Sequence, residues 1–206
     1  MRPEFVFLDL GNVIVRFDRE QAFRQMAAVA GIGVDTVRTA LERSSVQADL
    51  ERGAIGWPGF HAEFSRLTNT TPTAEALAHA ASDMFTLNVE MLPVIAGLER
   101  AGIPIGILSN TCGIHWEHLL AKRYAMLPGN FVATVLSHEV AALKPEPAIY
   151  DTAAARVGVR PERIFFCDDI PAHVHAARAC GWDAEVFESA AGLIDALDRR
   201  GLNLGI

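Results

Sequence analysis

Several things are scarce in this 206-residue chain. No apolar run approaches the roughly 18 residues that a membrane span needs, so no membrane is expected as a partner. Cysteine is sparse: Cys112, Cys167 and Cys180 are widely spaced, odd in number and form no Cys-x-x-Cys pair. That excludes a disulfide framework and suggests a reduced, cytoplasmic protein. Basic residues are outnumbered, 18 Lys and Arg against 25 Asp and Glu, for a net charge of −7. With no dense Lys/Arg stretch to follow a phosphate backbone, nucleic acid is excluded as a partner. The N-terminal stretch MRPEFVFLDLGNVIV lacks a small-residue cleavage site and carries Glu4 and Asp9, so it reads as a buried strand rather than a signal peptide. Repeats and low-complexity segments are also missing.

What is present is apolar material, 50% of the residues. That is enough to offset the ordering entropy of one domain with some chain to spare. Phe5 to Leu8 is a short continuous apolar run bounded by Asp9 and Gly11, the pattern of a strand buried on both faces of a parallel sheet. Similar runs occupy Ile103 to Leu108, Val132 to Leu136, Ile164 to Cys167 and Ala184 to Phe187. Helical patterns alternate with them at Val94 to Ala101, Ala148 to Val157, Ala172 to Cys180 and Ala190 to Arg199. Glycines 102, 158 and 181 follow the first three of these, where a helix ends in a left-handed residue. Strands alternating with helices predict an α/β fold with a doubly wound, Rossmann-like parallel sheet.

Residues 18–88 break the rhythm with helical periodicity alone. Asp18 caps a first helix that ends at Gly31 and Gly33; others begin near Asp35 and Trp57-Pro58, and a last one runs from about Thr73 to Met84. The expectation is a catalytic core of residues 1–17 and 89–206 with an all-helical cap inserted over 18–88.

Ligands of open parallel sheets bind beyond the carboxyl ends of the strands. Those ends carry Asp9, Ser109, Lys144 in the loop after the third strand, and Asp168-Asp169. Converging carboxylates repel unless a cation joins them, and an oxygen-rich site with open positions suits Mg²⁺ and substrate phosphate oxygens. A lysine and a serine hydroxyl could hold a phosphate there, with Asp9 placed to form an acyl-phosphate.

Four segments, FLDLGNV (7–13), ILSNT (107–111), LKPEPAIY (143–150) and FFCDDI (165–170), together resemble the haloacid dehalogenase-like hydrolase superfamily. They occur in order and cover the chain from end to end, and their variants are most similar to bacterial sugar-phosphate phosphatases. The resemblance implies Asp9 as nucleophile and metal ligand, with the main-chain carbonyl of Gly11 on the metal. It implies Ser109 and Asn110 on the phosphoryl group, Lys144 bridging that group to Asp9, and Asp169 as the direct Mg²⁺ ligand. Asp168 would either ligate or organise the water shell. The partner it implies is a small phosphorylated molecule, and the protein would be a monomer or homodimer.

Two positions depart from the family pattern. Most of these phosphatases carry a second aspartate two residues after the nucleophile, to protonate the leaving group and activate water; here it is Gly11. General acid–base help is worth about 10²–10⁴-fold, so turnover would be slow or would favour good leaving groups such as an anomeric phosphate. His173 stands where relatives often have asparagine, and either supplies a proton, bonds Asp9 or replaces the asparagine as a neutral group. Three activities therefore stand side by side: a Mg²⁺-dependent phosphatase, a 2-haloacid dehalogenase, and a catalytically weak phosphate-ligand binder. The paired aspartates favour the first, because dehalogenases need no metal.

Other residues have plainer readings. Arg52, at a turn expected to face the nucleophile, could grip phosphate or sugar, though a turn arginine is more often solvated. His115 and His118 lie one helical turn apart and read as surface positions at the cleft rim. Trp57, Phe60 and Phe64 fall at helical spacing and read as cap core.

Overall fold

In the computed structural model, which describes residues 1–122, 124, 127, 129 and 131–206, every residue of the first strand is buried. This strand, β1 (Phe5–Leu8), leads into β2 (Val15–Phe17) and five helices: α1 (Arg19–Ala30), α2 (Val34–Glu42), α3 (Val46–Arg52), α4 (Trp57–Thr68) and α5 (Ala74–Ser82). Then follow β3 (Phe85–Leu87), α6 (Met91–Arg100), β4 (Ile105–Ser109), α7 (Gly113–Ala121), β5 (Phe131–Leu136), α8 (Ser137–Val140) and α9 (Pro147–Val157). The chain closes with β6 (Ile164–Asp168), α10 (Pro171–Ala179), β7 (Asp183–Val186) and α11 (Ala190–Asp198).

Five strands make the parallel sheet, in the order β5-β4-β1-β6-β7. β1 lies at its centre, with Leu8 beside Ile107 on one flank and Cys167 on the other. Alternate residues of β1, β4, β5 and β6 feed two apolar clusters, one per face, and β7 feeds one of them through Ala184 and Val186. Val6 and Leu8 join Val94, Leu98 and Leu197, while Phe5 and Phe7 join Tyr150, Phe166 and Trp182. Burial on both faces explains why these strands are continuous apolar runs. The predicted doubly wound α/β sheet is therefore present.

The helices between β2 and β3 pack around a third cluster that includes Phe23, Met26, Leu50, Phe60, Phe64 and Leu77. Asp18 caps α1 as expected, its side chain accepting from the Gln21 N–H, and Gly31 ends it in the left-handed conformation. Trp57 and Phe60 stack with centroids 5.0 Å apart inside this block, in keeping with their reading as core.

Residues 18–88 are not all helical, however. β3 pairs antiparallel with β2, Val15 opposite Leu87 and Phe17 opposite Phe85, so the two strands leading into and out of the helices form a ribbon. Each is three residues long, too short to show a period, and β3 follows α5 after two residues. A separate helix, α3, also lies where the sequence pattern showed none.

Candidate active site

Asp9 follows β1, and Asp168 ends β6 beside it in the sheet. The Asp9 N–H donates to the Cys167 carbonyl (2.9 Å), which extends the strand pairing by one step and fixes the carboxylate at the sheet edge. Asp9 Oδ1 accepts from the Leu10 N–H (2.7 Å) and faces Lys144 Nζ at 2.8 Å. Both contacts fall on Oδ1, and Oδ2 has no hydrogen-bond partner among the described residues.

Lys144 comes from the loop after β5, and its side chain is wholly buried. Its ammonium donates to the Leu108 carbonyl (2.9 Å) and to Asp168 Oδ2 (2.5 Å) besides meeting Asp9. Burial pulls this ammonium toward neutrality, but Asp9 and Asp168 outweigh burial and hold its pKa above the ordinary lysine value. Burial pushes the Asp9 carboxyl up to about 6, with Lys144 pulling against the rise and Asp168 adding to it. Asp168 is likewise pushed up by burial, yet the bonds from His173 and Lys144 prevail and hold it below the ordinary carboxylate range.

Asp168 is fully engaged. Beyond Lys144, it accepts from the Ile170 N–H (2.8 Å), and His173 Nδ1 lies 3.0 Å from both its oxygens. Asp169 is more open, with Oδ2 accepting from the Asn12 amide (2.9 Å). One oxygen from each of Asp9, Asp168 and Asp169 lies within 4.8 Å of the others. Set against one ammonium, three carboxylates leave two negative charges uncompensated, a deficit that matches a divalent cation with oxygen ligands.

Ser109, the last residue of β4, is buried, and with Gly11 and Asn110 it lines the cavity that opens beside Asp9. The Asn110 side chain is committed elsewhere: its amide donates to the Lys144 carbonyl (2.9 Å) and its oxygen accepts from the Lys144 N–H (2.8 Å). Asn110 therefore clamps the lysine loop. A Cβ on Gly11 would come within 3.0 Å of the Phe17 ring, so an aromatic occupies the room that a longer side chain at position 11 would need.

The cavity, about 200 Å³, runs from Gly11, Ser109, Asn110 and Thr111 up between the helices to Phe23, Met26 and Phe60. Arg52 does not line it. The guanidinium forks onto Glu146, Nη1 to Oε2 at 2.9 Å and Nη2 to Oε1 at 2.5 Å, and so ties α3 to the lysine loop. The expectation that this turn faces the nucleophile is corrected: Gly53, left-handed at φ +76°, backs onto α8, where a Cβ would fall 2.3 Å from the His138 carbonyl oxygen. His173 bonds Asp168, not Asp9. His115 is not at the surface but buried against the Phe85 ring, centroids 5.3 Å apart, and it lines the cavity.

Sequence reasoning missed Asn12, Ser137 and Glu146. Asn12 sits in the left-handed region (φ 55°), tolerated by asparagine, and bonds Asp169. Ser137 Oγ accepts from the Thr111 N–H (2.9 Å) and lies 2.6 Å from the Glu51 carbonyl, joining the loop after β4 to α3. Glu146 finds Arg52 94 positions away in the chain. Asn12 and Glu146 lie inside the motif segments 7–13 and 143–150, but their partners are distant in the chain, and Ser137 stands outside any motif.

A parallel sheet with carboxylates and a lysine gathered at its carboxyl edge, under a block of helices, is the arrangement of an α/β hydrolytic enzyme. More narrowly, the chain belongs to the haloacid dehalogenase-like hydrolase family, whose sequence profile matches residues 4–181. A D-ribitol-5-phosphate phosphatase of Bacteroides thetaiotaomicron is 24% identical over 191 residues, 90% of this chain and 92% of the relative. In structure the chain is similar to a family enzyme from the same organism, solved in complex with magnesium and inorganic phosphate. The TM-score is 0.82 at 21% identity, covering 91% of this chain and 95% of that one. An L-2-haloacid dehalogenase shares the fold as well, with a TM-score of 0.71 at 17% identity, covering 96% and 100%.

Proposed function

We propose that this chain is a Mg²⁺-dependent phosphomonoester hydrolase that works through an aspartyl-phosphate on Asp9. The observation that carries the reading is Lys144, an ammonium buried between Asp9 and Asp168 where the cavity reaches Gly11 and Ser109. Asp9 and Asp169 would hold the cation together with the Gly11 carbonyl, while Asp168, spent on Lys144 and His173, positions the lysine. When bound, Mg²⁺ supplies charge neutralisation for the carboxylates and the incoming phosphate.

Asp9 Oδ2 attacks phosphorus, and the bond from phosphorus to the leaving oxygen breaks. Ser109 and the main chain of Asn110 hold the phosphoryl oxygens, and Lys144 offsets the charge between that group and Asp9. Water then attacks the acyl-phosphate, the bond from phosphorus to Asp9 breaks, and inorganic phosphate leaves. With Gly11 and the Phe17 ring beside the nucleophile, no side chain at position 11 transfers the proton, so leaving groups that need little protonation turn over fastest.

The substrate is a small phosphorylated metabolite, sugar phosphates first, in line with the activity named for the Bacteroides relative. Residues 18–88 act as the cap that keeps bulk water out during transfer. The three free cysteines fit a reducing, cytoplasmic setting, and no helix among the described residues is long and apolar enough to cross a membrane.

The test is phosphate release from p-nitrophenyl phosphate. It should require Mg²⁺, stop with EDTA and be abolished in Asp9→Asn while the fold persists. Wild-type rates in that variant would overturn the nucleophile assignment. Metal-independent chloride release from 2-chloropropionate would establish the dehalogenase chemistry instead. Tight phosphate binding without turnover would establish a binder.

A further inference from the structure

The cavity above Asp9 is walled by Phe23, Met26, Leu41 and Phe60, yet a carboxylate, Glu51 of α3, also lines it. Gln47, one turn earlier on the same face, donates its amide to Glu51 Oε1 (2.7 Å). Oε2 has no hydrogen-bond partner among the described residues. Burial pushes this carboxyl above its ordinary value, against the Gln47 bond and the charge of Arg19. A ligand that fills the cavity displaces the water at this acceptor and leaves it unbonded, at a cost, unless the ligand brings a donor. A metal ion is not that partner, since the only ligand cluster among the described residues is Asp9, Asp168 and Asp169.

The placement of Glu51 is firm. Its carbonyl lies 2.6 Å from Ser137 Oγ, which also accepts from the Thr111 N–H in the loop after Ser109. Gly53, two residues on, rests against the His138 main chain. Glu51 is thus held at a set distance from the phosphate end of the cavity by the core itself. An acceptor there calls for a hydrogen-bond donor on the leaving group. Two carboxylates, Glu42 and Glu51, against the one guanidinium of Arg19 disfavour a second phosphate or a carboxylate on the leaving group. A hydroxyl satisfies the acceptor without the cost of desolvating a second charge among Phe23, Met26 and Phe60.

Building on the phosphatase reading, we propose that Glu51 is a specificity residue that accepts a hydrogen bond from a hydroxyl of the leaving group. The preferred substrates are then hydroxyl-bearing monophosphates whose carbon skeleton packs against Phe23, Met26 and Phe60, and bisphosphates are rejected.

The experiment compares wild type, Glu51→Leu and Glu51→Gln, with Mg²⁺, on a five-carbon polyol monophosphate, aminoethyl phosphate and p-nitrophenyl phosphate. Glu51→Leu should lower kcat/KM for the polyol phosphate by about 10-fold or more, the share carried by a hydrogen bond to a charged group. The loss should fall mainly in KM, with p-nitrophenyl phosphate changed by less than about twofold on the same scale. Glu51→Gln, which keeps an acceptor, should recover most of the loss, and calorimetric binding of the polyol phosphate to Asp9→Asn should weaken when Glu51→Leu is added. Equal losses on both substrates would show a merely structural role, and unchanged kinetics would show no contact; either overturns the proposal. Aminoethyl phosphate as the substrate most sensitive to Glu51→Leu would overturn the hydroxyl assignment. If wild type hydrolyses none of the three, the phosphatase reading itself fails and this proposal falls with it.

Discussion

Replacing Lys144 by methionine tests whether the buried ammonium holds the site together. Methionine keeps most of the volume and removes the charge. Three contacts disappear at once: Asp9 at 2.8 Å, Asp168 at 2.5 Å and the Leu108 carbonyl at 2.9 Å. Asp168 keeps His173 and the Ile170 N–H, whereas Asp9 keeps only the Leu10 N–H. Two carboxylates are then left in a buried site with no ammonium between them. Removing one partner of a buried ion pair costs about 3–5 kcal/mol, because the remaining charge is stranded. In a chain of this length each kcal/mol shifts the melting temperature by about 2–4 °C, so Lys144→Met should melt about 6–20 °C below wild type. The assay is thermal unfolding followed by circular dichroism, in EDTA at neutral pH. Arg38→Ala serves as control. It breaks surface contacts to Glu20 at 2.6 Å and Asp35 at 2.5 Å, which water screens, so its melting temperature should stay close to wild type. Adding Mg²⁺ should restore more stability to Lys144→Met than to wild type, since the cation then supplies the missing positive charge. A melting temperature within about 2 °C of wild type in EDTA would refute the argument, for it would mean that the carboxylates are solvated rather than buried.

Further outcomes follow from single contacts. Burial pushes His115 down to about 4 from 6.5, so the folded protein keeps it neutral while the unfolded chain takes up a proton. Stability is then intact above about pH 6.5 and falls by about 2 kcal/mol by pH 5, and denaturant midpoints at pH 8 and 5 should show a smaller gap in His115→Phe. Arg52→Ala should leave the melting temperature close to wild type, because both partners are more than a third exposed and water screens the pair. It should also leave phosphate inhibition constants unchanged, since its guanidinium faces Glu146; a marked loss of phosphate affinity would return it to the site. Gly53→Ala should destabilise by about 1–3 kcal/mol in urea unfolding, as its methyl group would meet the His138 carbonyl in a strained left-handed turn.

Much of this was legible from the chain alone. β1, β4 and β6 show as apolar runs because both their faces are covered, and the polar residues that end the sheet strands mark the edge where Asp9, Lys144 and Asp168 meet. Asp18 announces α1 through a local bond to the Gln21 N–H. What was hidden depends on partners distant in sequence. Arg52 turns to Glu146, His173 turns to Asp168 rather than Asp9, and the Asn110 side chain serves the Lys144 backbone. The ribbon β2–β3 was hidden for another reason: three residues show no period, and their pairing spans 67 intervening positions between Phe17 and Phe85.

That ribbon bears on how the chain reaches its structure. β1 must find β4 across residues 9–104, and the entropy of closing a loop rises with its length. Once Val15 has paired with Leu87, residues 16–86 drop out of the search, leaving only the short stretches 9–14 and 88–104 to be closed. The packing of α1 against α5, the first and last helices of the block, brings the ends of β2 and β3 together. The helices that wall the cavity in the finished molecule are then also the staple that lets the central strand assemble.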